Sequence, residues 1–273
     1  MWISKKEIRE LSEGIQKTLE GQEFDPRDDK EGPWSILKND IYTLINLERE
    51  QREIAVEEKE KLSEYLADIS HQLKTPISSI QLMAELMTDA PENKKKEFLF
   101  SIKKEARHME WLTATLLKMA RLDSMSISFH KDKVEVSYLL DRALGSVEIM
   151  LDIRNQTVTL SQDMQLVCDR KWTTEALINI LKNASECSEE SREIIVDCGE
   201  NPIYQWISVT NKGKGLKKQQ LAGLFCRFEN TNKENGYGIG LPLALSIMRA
   251  QNGEIEVQSD GISETTFIMK FYK

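Results

Sequence analysis

From about residue 34 to residue 88 the sequence keeps a helical pattern, and a helix of that length has to cover its apolar stripe with something. Leu62, Tyr65, Leu66, Ile69 and Leu73 fall along that stripe, and the turns before it (LEREQREIAVEEKEKL) are dense in charge. The segment TDAPEN ends the pattern, and Pro91 suits the first turn of the next helix because its missing N–H would be unpaired there. Over about 91–123, Phe98, Ile102, Met109, Leu112, Leu116 and Met119 recur at steps of four and three, with Glu105 taking one slot. Two such helices predict an antiparallel hairpin. Its stripes are too long to bury alone, so a homodimer that completes a four-helix bundle is expected.

Upstream, residues 1–20 place Ile3, Ile8, Leu11, Ile15 and Leu19 at three- to five-residue intervals, which predicts a short amphipathic helix ending near Gly21. The stretch GQEFDPRDDKEGP reads as a connector before a helix that starts near Trp34. After Asp123 the texture changes. A polar connector (SMSISFHKDK) leads into short alternating apolar runs mixed with helices. Strands are predicted near 133–136, 156–160, 164–168, 193–199, 203–210, 253–259 and 264–271, with helices near 137–151, 171–187, 217–225 and 239–251. The expected fold is thus an α-helical hairpin followed by an α+β two-layer sandwich, organised as residues 1–60, 61–124 and 132–273.

The 273 residues suffice for two compact domains and a linker. A formal net charge of −8 leaves no basic surface of the kind a phosphate backbone requires, so nucleic acid is not an expected partner. Cys168, Cys187, Cys198 and Cys226 form no CxxC pair and have no histidine at metal-ligand spacing, so they read as buried or half-buried thiols in a reducing compartment. No apolar run reaches about 18 residues and the N-terminus lacks the pattern of a signal peptide, so the expected location is cytoplasmic.

Chemistry concentrates in a few short segments. In SHQLKTPISSI, residues 70–80, His71 and Thr75 share a helix face, and Pro76 removes a backbone hydrogen bond at that turn, bending the helix and exposing the imidazole. A neutral imidazole attacks phosphorus without a stronger base. A lone helical histidine is nevertheless more often bland. In NILKNASEC, residues 179–187, Asn179 and Asn183 lie four apart while Leu177, Ile178 and Leu181 point elsewhere, so the helix can pack on a sheet and present amides to a ligand. After the strand-like ISVT comes NKGKGL, with Asn211, Gly213 and Gly215. LFCRF, residues 224–228, holds Phe225, Arg227 and Phe228, a combination that by itself usually means plain core. In GYGIGLPLA, residues 236–244, Gly236, Gly238 and Gly240 run into a helix whose first N–H groups make a natural triphosphate site. A dinucleotide-binding fingerprint is excluded there, because polar loop rather than strand precedes the glycines.

HQLKTPI resembles the phospho-acceptor box of sensor histidine kinases, commonly H-E-x-x-T-P-L. NILKNASEC resembles their N-box, NKGKGL their first glycine box (usually D-x-G-x-G), LFCRF their F-box and GYGIGLPLA their second glycine box. The whole order is reproduced across about residues 60–273. The resemblance implies a linker or signal relay over 1–60, a dimerisation and histidine phospho-acceptor domain over 61–124 and a catalytic ATP-binding domain of the Bergerat fold over 132–273. Its cofactors would be ATP and Mg2+, the ion held by the side-chain carbonyl of Asn183. Residues 213–237 would form a lid anchored by Phe225 and Phe228, with Arg227 reaching a phosphate or the His71 domain. Phosphorylated His71 would pass its group to an aspartate of a response regulator, and Thr75 would orient a water that dephosphorylates the regulator. Lys74 reads as a solvated charge. Membrane attachment would come only through a missing or partner segment.

Two positions depart from the pattern. Gln72 stands where the family has an acid, and it can bond the imidazole but cannot take its proton. Asn211 stands where an aspartate reads the exocyclic amine of adenine, keeping an acceptor oxygen but adding a donor. Together they motivate a rival: a regulator-binding phosphatase or scaffold with weak or absent autokinase activity. A Bergerat-type ATPase that does conformational work or phosphorylates serine is a second rival, which leaves the His71 segment without a purpose.

Overall fold

The computed structural model describes residues 4–19, 24–27, 32–124, 126–213, 215–228 and 238–273. It divides into two units, Met1–Gln72 and Leu73–Lys273. In the first, helix α1 (Lys5–Leu19) buries Leu11 while Ile8 is 53% exposed, so the predicted stripe on α1 is narrower than its spacing implied. Ile3 and the expected helix end near Gly21 lie outside the described residues. The Arg27 guanidinium stacks on the Tyr42 ring at 3.6 Å and pairs with Asp25. Helix α2 (Pro33–Leu86) is uninterrupted and carries Pro76 inside it.

In the second unit α3 spans Glu92–Asp123, and Pro91 is its N-cap with φ −64°, one position before the first turn expected from sequence. The fixed φ and missing N–H of proline cost nothing at that boundary. Leu112, Thr115, Met119 and Leu122 are buried on α3, whose main helix contact is with α7. Leu112 and Met119, assigned by their spacing to the hairpin stripe, are both buried in the C-terminal half of α3. Leu82, Leu86, Leu99, Phe100 and Leu117 remain exposed in the single chain.

The α/β domain runs β1 (Lys131–Glu135), α4 (Val136–Ile153), β2 (Thr157–Leu160), β3 (Gln165–Asp169), α5 (Arg170–Cys187), β4 (Glu193–Glu200), β5 (Tyr204–Lys212), α6 (Lys218–Ala222), α7 (Gly240–Ala250), β6 (Gly253–Ser259) and β7 (Glu264–Tyr272). The main sheet has the order β2-β4-β5-β7-β6, and β1 pairs with β3 apart from it. β2 joins β4 in parallel, and the other neighbours are antiparallel. α5 packs between α4 and α7 and lies over β5.

Period-two burial builds the core. Ile194, Val196 and Cys198 of β4, Ile207 and Val209 of β5, and Phe267, Met269 and Phe271 of β7 point to one face. Leu177, Ile180, Leu181, Leu243 and Ile247 meet them from α5 and α7, each worth roughly 1.5–3 kcal/mol of transfer free energy when fully buried. Burial, reinforced by Asp197 and Asp163, pushes the Cys198 thiol up to about 11. Cys226, expected to be buried or half-buried, is exposed, because it sits outside these alternating faces in the segment before residue 229.

The start of α5 is fixed by polar groups. Asp169 caps it by accepting from Trp172 N–H at 3.0 Å and also accepts from His130 N–H at 2.9 Å. Buried Gln251 accepts from Asp169 N–H at 2.8 Å, and its Nε2 lies 3.4 Å from Thr173 Oγ1. Its carbonyl takes the Lys131 ammonium at 2.6 Å. The ends of α7, β3 and α5 are thereby locked together, which sets where the α5 amides lie.

Candidate functional site

Asn211 is the last inward residue of β5, following Ile207 and Val209 in the same alternation. An amide therefore occupies a slot whose predecessors are apolar. The residue is 1% exposed, and its Oδ1 is enclosed without a hydrogen-bond partner. Buried polar atoms almost always find partners, so an orphan acceptor at a strand end marks a place where a ligand or water completes the bonding. Across the ladder Asn211 is in register with Ile194 on β4 and with buried Thr265 on β7.

Gly213 follows, bridged to Ser188 just past α5. Its N–H donates to Ser263 O at 2.8 Å, and Gly215 N–H donates to Ile262 O at 3.1 Å. A Cβ on Gly213 would collide with the Cys187 carbonyl oxygen, which is backbone and cannot swing aside. The loop between β6 and β7 that receives these bonds is shaped by Asp260. Its Oδ1 accepts from the N–H groups of Ile262, Ser263 and Glu264 at 2.8, 2.9 and 3.0 Å. Those backbone bonds hold the carboxyl well below the ordinary aspartate range.

On α5, Asn179 and Asn183 are both half-buried. Asn179 Nδ2 donates to Glu175 O at 2.8 Å, which turns its Oδ1 toward the opposite side. A Cβ on Gly240 would stand 2.9 Å from that Oδ1, so the bare glycine lets the start of α7 approach Asn179 closely. The Asn183 Oδ1 lies 3.7 Å from the Cys187 Sγ. Helix α7 opens at Ile239, which supplies no side-chain cap, and Pro242 in the first turn has no N–H. The first N–H groups of a helix are donors of the kind that bind an anion.

Phe228 is buried with φ +66° and its N–H donates to Gly238 O at 3.1 Å; Gly238 has φ +64°. Phe225 is half-buried, and Arg227 pairs with Asp123 at 2.8 Å. Gly236 and much of the expected lid lie outside the described residues. The described structure thus brings Asn211, Gly213 and Gly215 together with the β6–β7 loop, and Asn179 together with Gly240.

On α2, His71 and Thr75 are exposed, Gln72 is half-buried and Pro76 is buried. The expected bend at Pro76 does not end the helix, which continues to Leu86. Among the described residues no cluster of three His, Cys, Asp or Glu side chains could hold a metal. A neutral carbonyl such as that of Asn183 suits magnesium that keeps most of its ligands from phosphate and water.

Four contributors escaped sequence reasoning. Glu175 orients Asn179 through its carbonyl and pairs through its carboxylate with Lys118 at 2.7 Å. Gln156 donates to the carbonyls of Ser185 and Glu189, both at 3.1 Å, fixing the exit of α5. Asp260 and Ser259 shape the loop that receives the glycine box. The SDGIS run between two strands was the available signal for that turn, while nothing local marks Gln156.

Residues 61–125 match the family model described as His Kinase A (phospho-acceptor) domain, and residues 168–273 match that of the histidine kinase-, DNA gyrase B- and HSP90-like ATPase. The chain is 29% identical over 226 residues to sensor protein SrrB of Staphylococcus aureus strain MRSA252, covering 77% of this chain and 38% of that protein. It therefore spans well under half the length of the curated relatives it matches. In structure it is similar to Acinetobacter baumannii histidine kinase AdeS, with TM-score 0.61, 19% identity and coverage of 74% of this chain and 97% of that one. It is also similar to full-length ShkA in complex with AMPPNP, with TM-score 0.56, 18% identity and coverage of 77% of this chain and 46% of that one. At these identities the structural likeness is one of fold.

Proposed function

The chain belongs to the sensor histidine kinases, carrying their phospho-acceptor and ATPase domains, and on that premise we propose that it phosphorylates His71 from Mg-ATP and passes the phosphoryl group to an aspartate of a response regulator. The observation that carries the nucleotide half is the enclosed, unpartnered Oδ1 of Asn211 beside Gly213. Residues 61–124 act as the dimerisation and acceptor domain and 132–273 as the catalytic domain.

The residues fit the nucleotide by their chemistry. Asn211 offers the base an acceptor, Gly213 and Gly215 let the chain after β5 pack directly on the Cys187 carbonyl and the β6–β7 loop, and the start of α7 with Gly238 and Gly240 offers N–H groups to phosphate. Asn179 and Asn183 supply neutral oxygens, and Asn183 would hold Mg2+, whose role is to neutralise phosphate charge. Arg227, paired with Asp123 in this structure, adds a positive charge between two phenylalanine anchors, Phe225 and Phe228.

In the transfer itself an imidazole nitrogen of His71 forms a bond to the terminal phosphorus as the bond from that phosphorus to the bridging oxygen breaks. ADP leaves, and the ring gives up its N–H proton to solvent because Gln72 cannot take it. Positioning and charge neutralisation do most of the work in such a step. The P–N bond then breaks when an aspartate carboxylate of the regulator attacks, and Thr75 places the water that later removes the group. The exposed apolar positions Leu82, Leu86, Leu99 and Phe100 support a homodimer through the helical region. Among the described residues no helix is long and apolar enough to cross a membrane.

Incubation with radiolabelled ATP tests the reading. Acid-labile, alkali-stable label that is absent from His71→Ala is expected. Absence of label on the unaltered protein, with regulator dephosphorylation retained, would instead establish the phosphatase reading that Gln72 favours.

A further inference from the structure

A carboxylate at the end of β5 could only accept hydrogen bonds, so it would favour a purine bearing a 6-amino group and repel one bearing a 6-oxo group. A primary amide carries an acceptor and a donor on the same carbon, and a half-turn about its last bond exchanges them. Whether it can make that turn depends on what grips it. Oδ1 of Asn211 accepts nothing, and none of the hydrogen bonds among the described residues uses its Nδ2.

Thr265, opposite Asn211 on β7, shares its hydroxyl with Ser259 at 3.1 Å. Gln156 and Ser185 satisfy each other near the end of α5. Ser188, bridged to Gly213, has a buried hydroxyl without a partner, and a hydroxyl donates or accepts as required. No buried charge at Asn211 stands against a 6-oxo group.

We propose that Asn211 broadens the base specificity of this site, so that purine nucleoside triphosphates with either a 6-amino or a 6-oxo group bind. Presented with its oxygen outward, the amide accepts from the 6-amino group. Presented with its nitrogen outward, it donates to the 6-oxo group. The inference rests on the reading of this site as the nucleotide site.

The test is titration calorimetry of the full chain with Mg-ATP, Mg-ITP and Mg-GTP. ITP replaces the 6-amino group of adenine by an oxo group, whereas GTP also adds a 2-amino group. On the unaltered protein ITP is expected to bind within about tenfold of ATP, and Asn211→Asp is expected to shift the ratio toward ATP by about tenfold or more. Thermal unfolding shows whether the variant is folded; if it is not, the ITP to ATP ratio of the unaltered protein decides alone. ATP binding with ITP about a hundredfold weaker or worse would overturn the inference and leave the ATP site standing. No binding of any of the three would overturn the nucleotide reading and this inference with it.

Discussion

Arg227 Nη2 donates to Asp123 Oδ2 at 2.8 Å, so the last residue of α3 is held by the charged residue between Phe225 and Phe228. The side chains are 29% and 49% exposed, which leaves the pair open to screening. Asp123→Asn is expected to lower stability by no more than about 1 kcal/mol, with the loss shrinking at high salt, as read by urea unfolding. Release of Arg227 toward phosphate is expected to tighten Mg-ATP binding in the same variant, measured by calorimetry.

Gln72→Glu restores a proton acceptor next to His71. The initial rate of His71 labelling is expected to rise by about tenfold or more, within the range general-base assistance supplies. An unchanged rate would mean that proton removal does not limit the step.

Two glycines should respond with opposite signs. Gly213→Ala meets the Cys187 carbonyl and is expected to cost about 1–3 kcal/mol and to weaken nucleotide binding. Gly145 lies exposed inside α4 with nothing within 4 Å of an added Cβ, so Gly145→Ala is expected to stabilise by about 0.5–1 kcal/mol. Urea midpoints of both variants check the pair.

Gln251→Leu removes the acceptor for Asp169 N–H and leaves that donor buried. A loss of about 1–3 kcal/mol is expected, in the range of an unsatisfied buried group. Because the Gln251 side chain bonds Asp169 and Thr173 and none of Asn179, Asn183 or Asn211, calorimetric affinity per folded molecule should change less than stability does.

Asp260 sets an acid limit. Its folded-state pKa lies below the ordinary 3.8, so its contribution is present above that value and fades as pH falls through it toward the lower folded value. Asp260→Asn is expected to flatten the fall of stability between about pH 4 and pH 2 and to loosen the loop that receives Gly213 and Gly215. Urea midpoints across that window read the first effect and ATP affinity near neutrality the second.

Most elements were legible because each carries its own period. The strands holding Ile194, Ile207 and Phe267 alternate cleanly, and α5 and α7 each show one apolar face. Helix α3 was read only halfway, since spacing reveals that Leu112 and Met119 lie on an apolar face but not which neighbour covers it. The β6–β7 loop and Gln156 were missed because their importance lies in what they touch far along the chain.

Sequence alone determined the change from long helices to alternating strands, the order of the chemical segments, and the presence of amides at positions 72 and 211 where acids are usual, since residue type and spacing are local properties. Only the tertiary structure decided that the Asn211 oxygen is sealed in at the end of an apolar row with no partner, that Gly213 backs onto the Cys187 carbonyl, and that Arg227 reaches Asp123. Those relationships join residues far apart in the chain, and close packing, rather than any periodicity, selects which of them meet.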